Sequence, residues 1–202
     1  MKNAIYFLPL LLLSFSLSAQ QAPSQKEVGL VFNSLDNFGL TYRTGNQKAL
    51  WRFQTVLISG KNEETVQDSI LSASNELGFN LRAGREYRKE IVENLELRYG
   101  ADASFGYSQS SSETQDQSHL NSDRSYESFA YQSGINLVIG FNYLINEHLM
   151  IGAELLPGFN YSTGERVYNS GDSSIEKEIT EFTDYSFGLS SNSAWLSLAF
   201  RF

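Results

Sequence analysis

The nine residues Ala194-Trp195-Leu196-Ser197-Leu198-Ala199-Phe200-Arg201-Phe202 constrain this chain more than any other stretch. Counting back from Phe202, the positions Phe200, Leu198, Leu196 and Ala194 are apolar, while Arg201, Ala199, Ser197 and Trp195 fill the places between. A period of two is the signature of a β-strand with one apolar face.

The same period recurs along the chain and predicts eight strands, at 27–33, 38–44, 49–60, 76–88, 95–109, 126–145, 149–162 and 180–202. In 76–88, Leu77, Phe79, Leu81, Ala83 and Tyr87 oppose Glu76, Gly78, Asn80, Arg82, Gly84, Glu86 and Arg88. In 95–109, Leu97, Tyr99, Ala101, Ala103, Phe105 and Tyr107 oppose Glu96, Arg98, Gly100, Asp102, Ser104 and Gly106. A soluble sandwich alternates too, so the glycines decide. Gly84, Gly100, Gly106, Gly134, Gly140, Gly152 and Gly158 keep to the polar face. A crowded barrel interior uses glycine to bend strands and to make room for long side chains. The solvent face of a sandwich makes no such demand. The fold class is therefore all-β, an eight-stranded antiparallel up-and-down transmembrane β-barrel with its large apolar residues facing lipid.

The polar faces carry Arg43, Arg52, Arg82, Arg88, Arg98 and Arg201 against Glu76, Glu86, Glu96, Asp102 and Glu154. An eight-stranded barrel has room for side chains or one small ligand, and buried charges need partners. This set is thus expected to be a lumen charge network that plugs the barrel, not an ion path.

Connection lengths orient the barrel. The links 45–48, 89–94 and 146–148 are short and lie at one end; 61–75, 110–125 and 163–179 are long and polar and lie at the other, where only 34–37 is short. Outer-membrane barrels have short periplasmic turns and longer outside loops. The apolar parity slips between Tyr185/Phe187/Leu189 and Ala194/Leu196, which predicts a bulge at 190–193. The alternative is a turn there, with 27–44 merged into one strand and the long loops facing the periplasm.

Residues 1–19 have the form of a secretory signal peptide: Lys2, an apolar run from Ile5 to Leu13, and Leu17-Ser18-Ala19 as the cleavage site. Residues 20–202 then form the barrel domain. Removing Lys2 leaves 14 basic residues against 23 acidic ones, a net charge of −9. That excludes nucleic acid as a partner, since binding it needs a basic surface. The chain has no cysteine, and no stretch after residue 19 is apolar enough for a transmembrane helix.

Dedicated chemistry is sparse. His148 sits in a short turn, and His119 lies in a Ser/Gln-rich loop with Asp116 and Asp123. Neither is on a strand beside an ordered serine, as a nucleophilic site would require. The acidic groups Glu63, Glu64, Asp68 and Asp172, Glu176, Glu178, Glu181 lack the spacing of a calcium loop. No catalytic residue, cofactor or metal site is expected.

With its alternating strands, its signal peptide and its final strand stopping on an aromatic residue, the chain resembles small eight-stranded outer-membrane barrels of the OmpX/OmpA type. Cleavage before a glutamine and the sequence Ala199-Phe200-Arg201-Phe202 are similar to members from Bacteroidetes-like bacteria. The resemblance implies a Gram-negative outer-membrane location, contact with outer-membrane lipid, and Leu196, Leu198, Phe200 and Phe202 as the signal read by the barrel assembly machinery. It implies no activity, because this architecture hosts adhesins, lipid-modifying enzymes and structural proteins alike. The expected role is surface interaction or envelope structure, with an extracellular ligand or envelope partner met through the loops. The alternatives are an envelope lipid-modifying enzyme and an accessory subunit of a secretion or uptake complex.

Overall fold

Six of the eight alternating segments are single strands in the computed structural model, and 149–162 and 180–202 are each interrupted to give two; the structure describes residues 24–34, 37–67, 70–116, 124–170, 177–190 and 193–202. The signal peptide expected at 1–19, and His119, lie outside the described residues. The strands are β1 (Gln25–Phe32), β2 (Phe38–Asn46), β3 (Ala49–Gln67), β4 (Ile70–Val92), β5 (Leu95–Asp116), β6 (Arg124–Leu144), β7 (Leu149–Leu155), β8 (Gly158–Asn169), β9 (Glu178–Gly188) and β10 (Ala194–Arg201). No helix among the described residues is long and apolar enough to cross a membrane.

Eight strands close a ring in the order β1, β2, β3, β4, β5, β6, β7, β10 and back to β1. β8 prolongs β7 beyond Leu156-Pro157, so that β6 pairs with both. Pro157 has no N–H to give a ladder, although its carbonyl still accepts from Leu137 N–H at 2.8 Å. β9 ends at Gly188, whose φ of +105° suits glycine alone, and β10 begins at Ala194. The expected bulge at 190–193 is therefore a break between two strands. The merged-strand alternative fails, because β1 and β2 pair with each other from Gln25↔Gly45 to Phe32↔Phe38.

The turns at one end are tight and set by asparagine. The Asn46 side-chain oxygen accepts from Lys48 N–H at 3.0 Å and Ala49 N–H at 2.9 Å. Asn146 does the same for His148 at 2.9 Å and Leu149 at 2.8 Å. Such Asx contacts stand in for backbone turn bonds. Between β4 and β5, Asn94 takes φ +66°, a conformation asparagine tolerates.

At the other end the strands run further than expected. β3 continues to Gln67 and β4 starts at Ile70; β5 reaches Asp116, β6 starts at Arg124, and β8 extends to Asn169. Most of 61–75 and much of 110–125 and 163–179 is thus paired sheet, for example Ser72↔Thr114 and Ser112↔Tyr126. The period-two signal fails there because both faces are polar. At ~3.3 Å per residue, the 23 residues of β4 span about 75 Å. That far exceeds an apolar band about 25 Å tall.

The apolar band is bounded by aromatics. On β6, Tyr131 and Tyr143 both point outward and are about half exposed. Twelve steps at ~3.3 Å, tilted by ~40°, put them about 30 Å apart across the band. Tyr107 and Tyr131 pack at 5.3 Å at one level, and Tyr87 stacks on Tyr99 at 5.7 Å at the other. Arg85 also faces outward; its guanidinium lies 5.0 Å over the Trp51 ring, a cation–π contact that makes a charge tolerable at an apolar surface.

The wall is not closed along its full height. The β1–β2 hairpin ends at Asn33 and Asn37, where Asn33 N–H meets the Asn37 carbonyl at 3.3 Å. The pairing of β3 with β2 stops at Leu57. Beyond that level, β3, β4, β5, β6, β8 and β9 form an open sheet in which, among the described residues, β3 and β9 do not pair.

Candidate functional site

Inward-facing residues of the closed ring build one connected ion-pair cluster. Arg43, Arg52, Arg98 and Glu86 are completely buried, and Glu27, Asp102, Glu154 and Arg88 nearly so. Glu86 of β4 lies among four arginines: Arg88 at 2.7 Å, Arg43 and Arg52 at 3.5 Å, and Arg98 at 3.9 Å. Arg52 also grips both oxygens of Glu154, at 2.9 and 3.0 Å, and lies 3.3 Å from Asp102. Arg98 donates to Glu154 as well. Nearer the short turns, Arg88 makes a two-pronged contact with Glu27 at 2.6 and 2.7 Å. Arg201 bridges Glu27 at 3.1 Å and Glu96 at 3.0 Å.

Glycine opposite a charged residue makes this packing possible. A side chain at Gly84 would collide with the Ala101 carbonyl and the Asp102 carboxylate. Carboxylates and guanidiniums face one another inside the ring, yet among the described residues Arg43 Nε, Nη1 and Nη2 and both Asp102 carboxylate oxygens make no hydrogen bond there.

Ten of the eleven lumen positions read from the sequence fall on the inward register within the closed ring. Glu76 does not join them. It shares the inward register of β4 but sits in the open sheet, where it is exposed. Its parity is that of the cluster; its height is not. Arg82 faces inward but stands apart from the ion pairs: its guanidinium lies 4.7 Å over the Trp195 ring. Glu27 is the member that sequence reasoning missed. Its parity with Gly29 would have placed it inside, but its position at the start of a short strand hid the signal.

The polar face also hides an apolar layer. Val31, Val138, Leu156 and Trp195 form a buried cluster inside the barrel. Leu156 and Trp195 then line a polar cavity of about 580 Å³, together with Asn33, Asn80, Arg82, Asn136, Ser104 and, from β9, Asp184 and Ser186. Leu196, Leu198, Phe200 and Phe202 all face outward. Phe200 stacks on His148 at 5.3 Å and packs against Phe202 at 6.4 Å. The His148 Nδ1 is 3.0 Å from the Arg201 carbonyl oxygen, so this imidazole belongs to the strand end. Among the described residues, no group of three or more His, Cys, Asp or Glu side chains is placed to hold a metal ion.

The model of the Putative OmpA-OmpF-like porin family matches residues 59–181. No curated protein matches the sequence. Among solved structures, a major outer membrane protein from Thermus thermophilus is similar over 90% of this chain and 100% of that one, at 13% identity and a TM-score of 0.52. Ail of Yersinia pestis, solved with the heparin analogue sucrose octasulfate, is similar over 89% of this chain and 97% of its own, at 19% identity and a TM-score of 0.38. Neisserial surface protein A is similar over 88% and 92%, at 10% identity and a TM-score of 0.33. At such identities the likeness is one of fold.

Proposed function

The chain belongs to the OmpA-OmpF-like porin family and is a protein of the Gram-negative outer membrane; from that premise we propose that it is a plugged barrel whose projecting strands serve surface interaction or envelope structure. The observation that carries this reading is the ion-pair cluster across the lumen. Arg52 and Glu154 lie on β3 and β7, four places apart in the ring of eight, so their hydrogen bonds span the interior. A cross-section filled in this way holds the barrel as a rigid peg. What it presents outward is the polar sheet of β3 to β6, which extends well past the apolar band. A partner met there is hydrophilic, and outer-membrane lipid meets the belt below.

Two measurements test this. In planar bilayers the protein is expected to give no large, stable conductance, and a wild-type channel passing small sugars would refute the plug. Replacing 61–75 by a two-residue turn is expected to leave a heat-modifiable barrel while changing cell-surface adhesion or detergent sensitivity. A shortened protein with both properties intact would remove the role assigned to the arms.

A further inference from the structure

We propose that the polar cavity on the outward side of the cluster is a binding site for a small neutral saccharide. Among the described residues, four buried polar atoms in its wall have no protein hydrogen-bond partner: Asn33 Oδ1, Asn80 Oδ1, Arg82 Nε and Arg82 Nη1. Two are acceptors and two are donors. Leaving such groups unpaired is costly; they are covered in the structure, so a ligand pairs with them as the Asn33, Asn80 and Arg82 side chains turn toward the cavity, and one that serves both kinds at once carries hydroxyls, each a donor and an acceptor.

The rest of the wall has the same chemistry. Asn136 is held by its own hydrogen bond to Ser104 Oγ at 3.2 Å, which fixes its amide before any ligand arrives. Gly158 keeps the space open, since a side chain there would run into Asn136 Oδ1. Leu156 offers an apolar patch for the C–H face of a sugar ring. The volume of about 580 Å³ falls within the ~300–1,000 Å³ range of small-molecule sites and suits a di- or trisaccharide.

Charge favours a neutral ligand over an anion. Glu154, Arg52 and Asp102 all act on Arg82 electrostatically, two acids against one base, and Asp184 stands in the cavity wall. Access is from the outside, where Asp184 and Ser186 on β9 are exposed. Among the described residues, β9 has no strand partner on its other edge.

Trp195 lines the cavity and Trp51 faces outward, so a Trp51→Phe protein reports on the cavity by fluorescence. The full barrel, in a zwitterionic detergent free of sugar headgroups, would be titrated with maltose, cellobiose and maltotriose, and separately with sodium sulfate. Saturable change with at least one saccharide and none with sulfate is expected. Asn80→Ala and Arg82→Ala should each weaken binding by about tenfold or more, the effect of one lost hydrogen bond to a charged or buried group. Ser186→Phe, on the exposed rim, should block binding in a barrel that stays heat-modifiable, which guards against an unfolded Arg82 variant. No response to any of the three saccharides, an undiminished response in Ser186→Phe, or a response to sulfate alone would overturn the assignment.

Discussion

Arg52 and Glu154 join opposite walls of the barrel through hydrogen bonds of 2.9 and 3.0 Å, though 102 residues separate them in sequence. Both are buried, so each is an asset only while the other is present.

Arg52→Ala is therefore expected to destabilise the barrel by ~3–5 kcal/mol, the usual cost of stranding a buried charge. Urea unfolding in micelles, followed by loss of heat-modifiable mobility, measures it. The double change Arg52→Met with Glu154→Met should cost less than the sum of the two single changes. Additive costs would mean the two residues do not act as a pair.

Gly84→Val should block folding or assembly, because the added side chain meets Asp102 and the Ala101 carbonyl inside the wall. The readout is the outer-membrane level of the protein. Wild-type levels would show that the interior has slack there.

Changing both Phe200 and Phe202 to Ala should lower the amount inserted. Both face outward, and Phe200 stacks on His148 and on Phe202, so the loss strips the aromatic contacts at the end of β10. Purified Phe200→Ala/Phe202→Ala protein that still folds in detergent would assign the defect to the assembly step. Normal insertion in cells would count against a signal role for these residues.

Orientation can be read with cysteine, which the native chain lacks. Thr65 on the β3 arm and Glu147 in the β6–β7 turn are both exposed. A membrane-impermeant maleimide should label Thr65→Cys on intact cells and Glu147→Cys only after the outer membrane is opened. The reverse pattern would turn the barrel over.

Much of this architecture was legible in the chain because lipid imposes a strict rule on one face. Leu77, Phe79 and Leu81 had to alternate with something, and that something became the interior. The outer arms were not legible for the opposite reason. Ser110, Ser111 and Ser112 put the same half-buried polar group on both faces, so their strand character rests on pairing with β4 and β6 and leaves no hydropathy trace. Height in the barrel was equally hidden. Glu76 and Glu86 have the same parity, and only the point where β1 and β2 stop decides that one is exposed and the other enclosed. Trp195 and Val138 sit on a face read as polar, because the interior needs a dry layer as well as a charged one.

The early end of the β1–β2 hairpin has a mechanical consequence. Closing a sheet into a tube removes every edge and with it the freedom to change girth. Beyond Leu57 that constraint is lifted, because no pairing among the described residues stitches β3 to β9. A change in the girth of this six-stranded collar would break no β3–β9 hydrogen bond among the described residues, whereas widening the clasped base would break its ladder. A closed ladder thus fixes the girth of the ring at the level of the ion pairs, and no β3–β9 ladder among the described residues fixes it beyond.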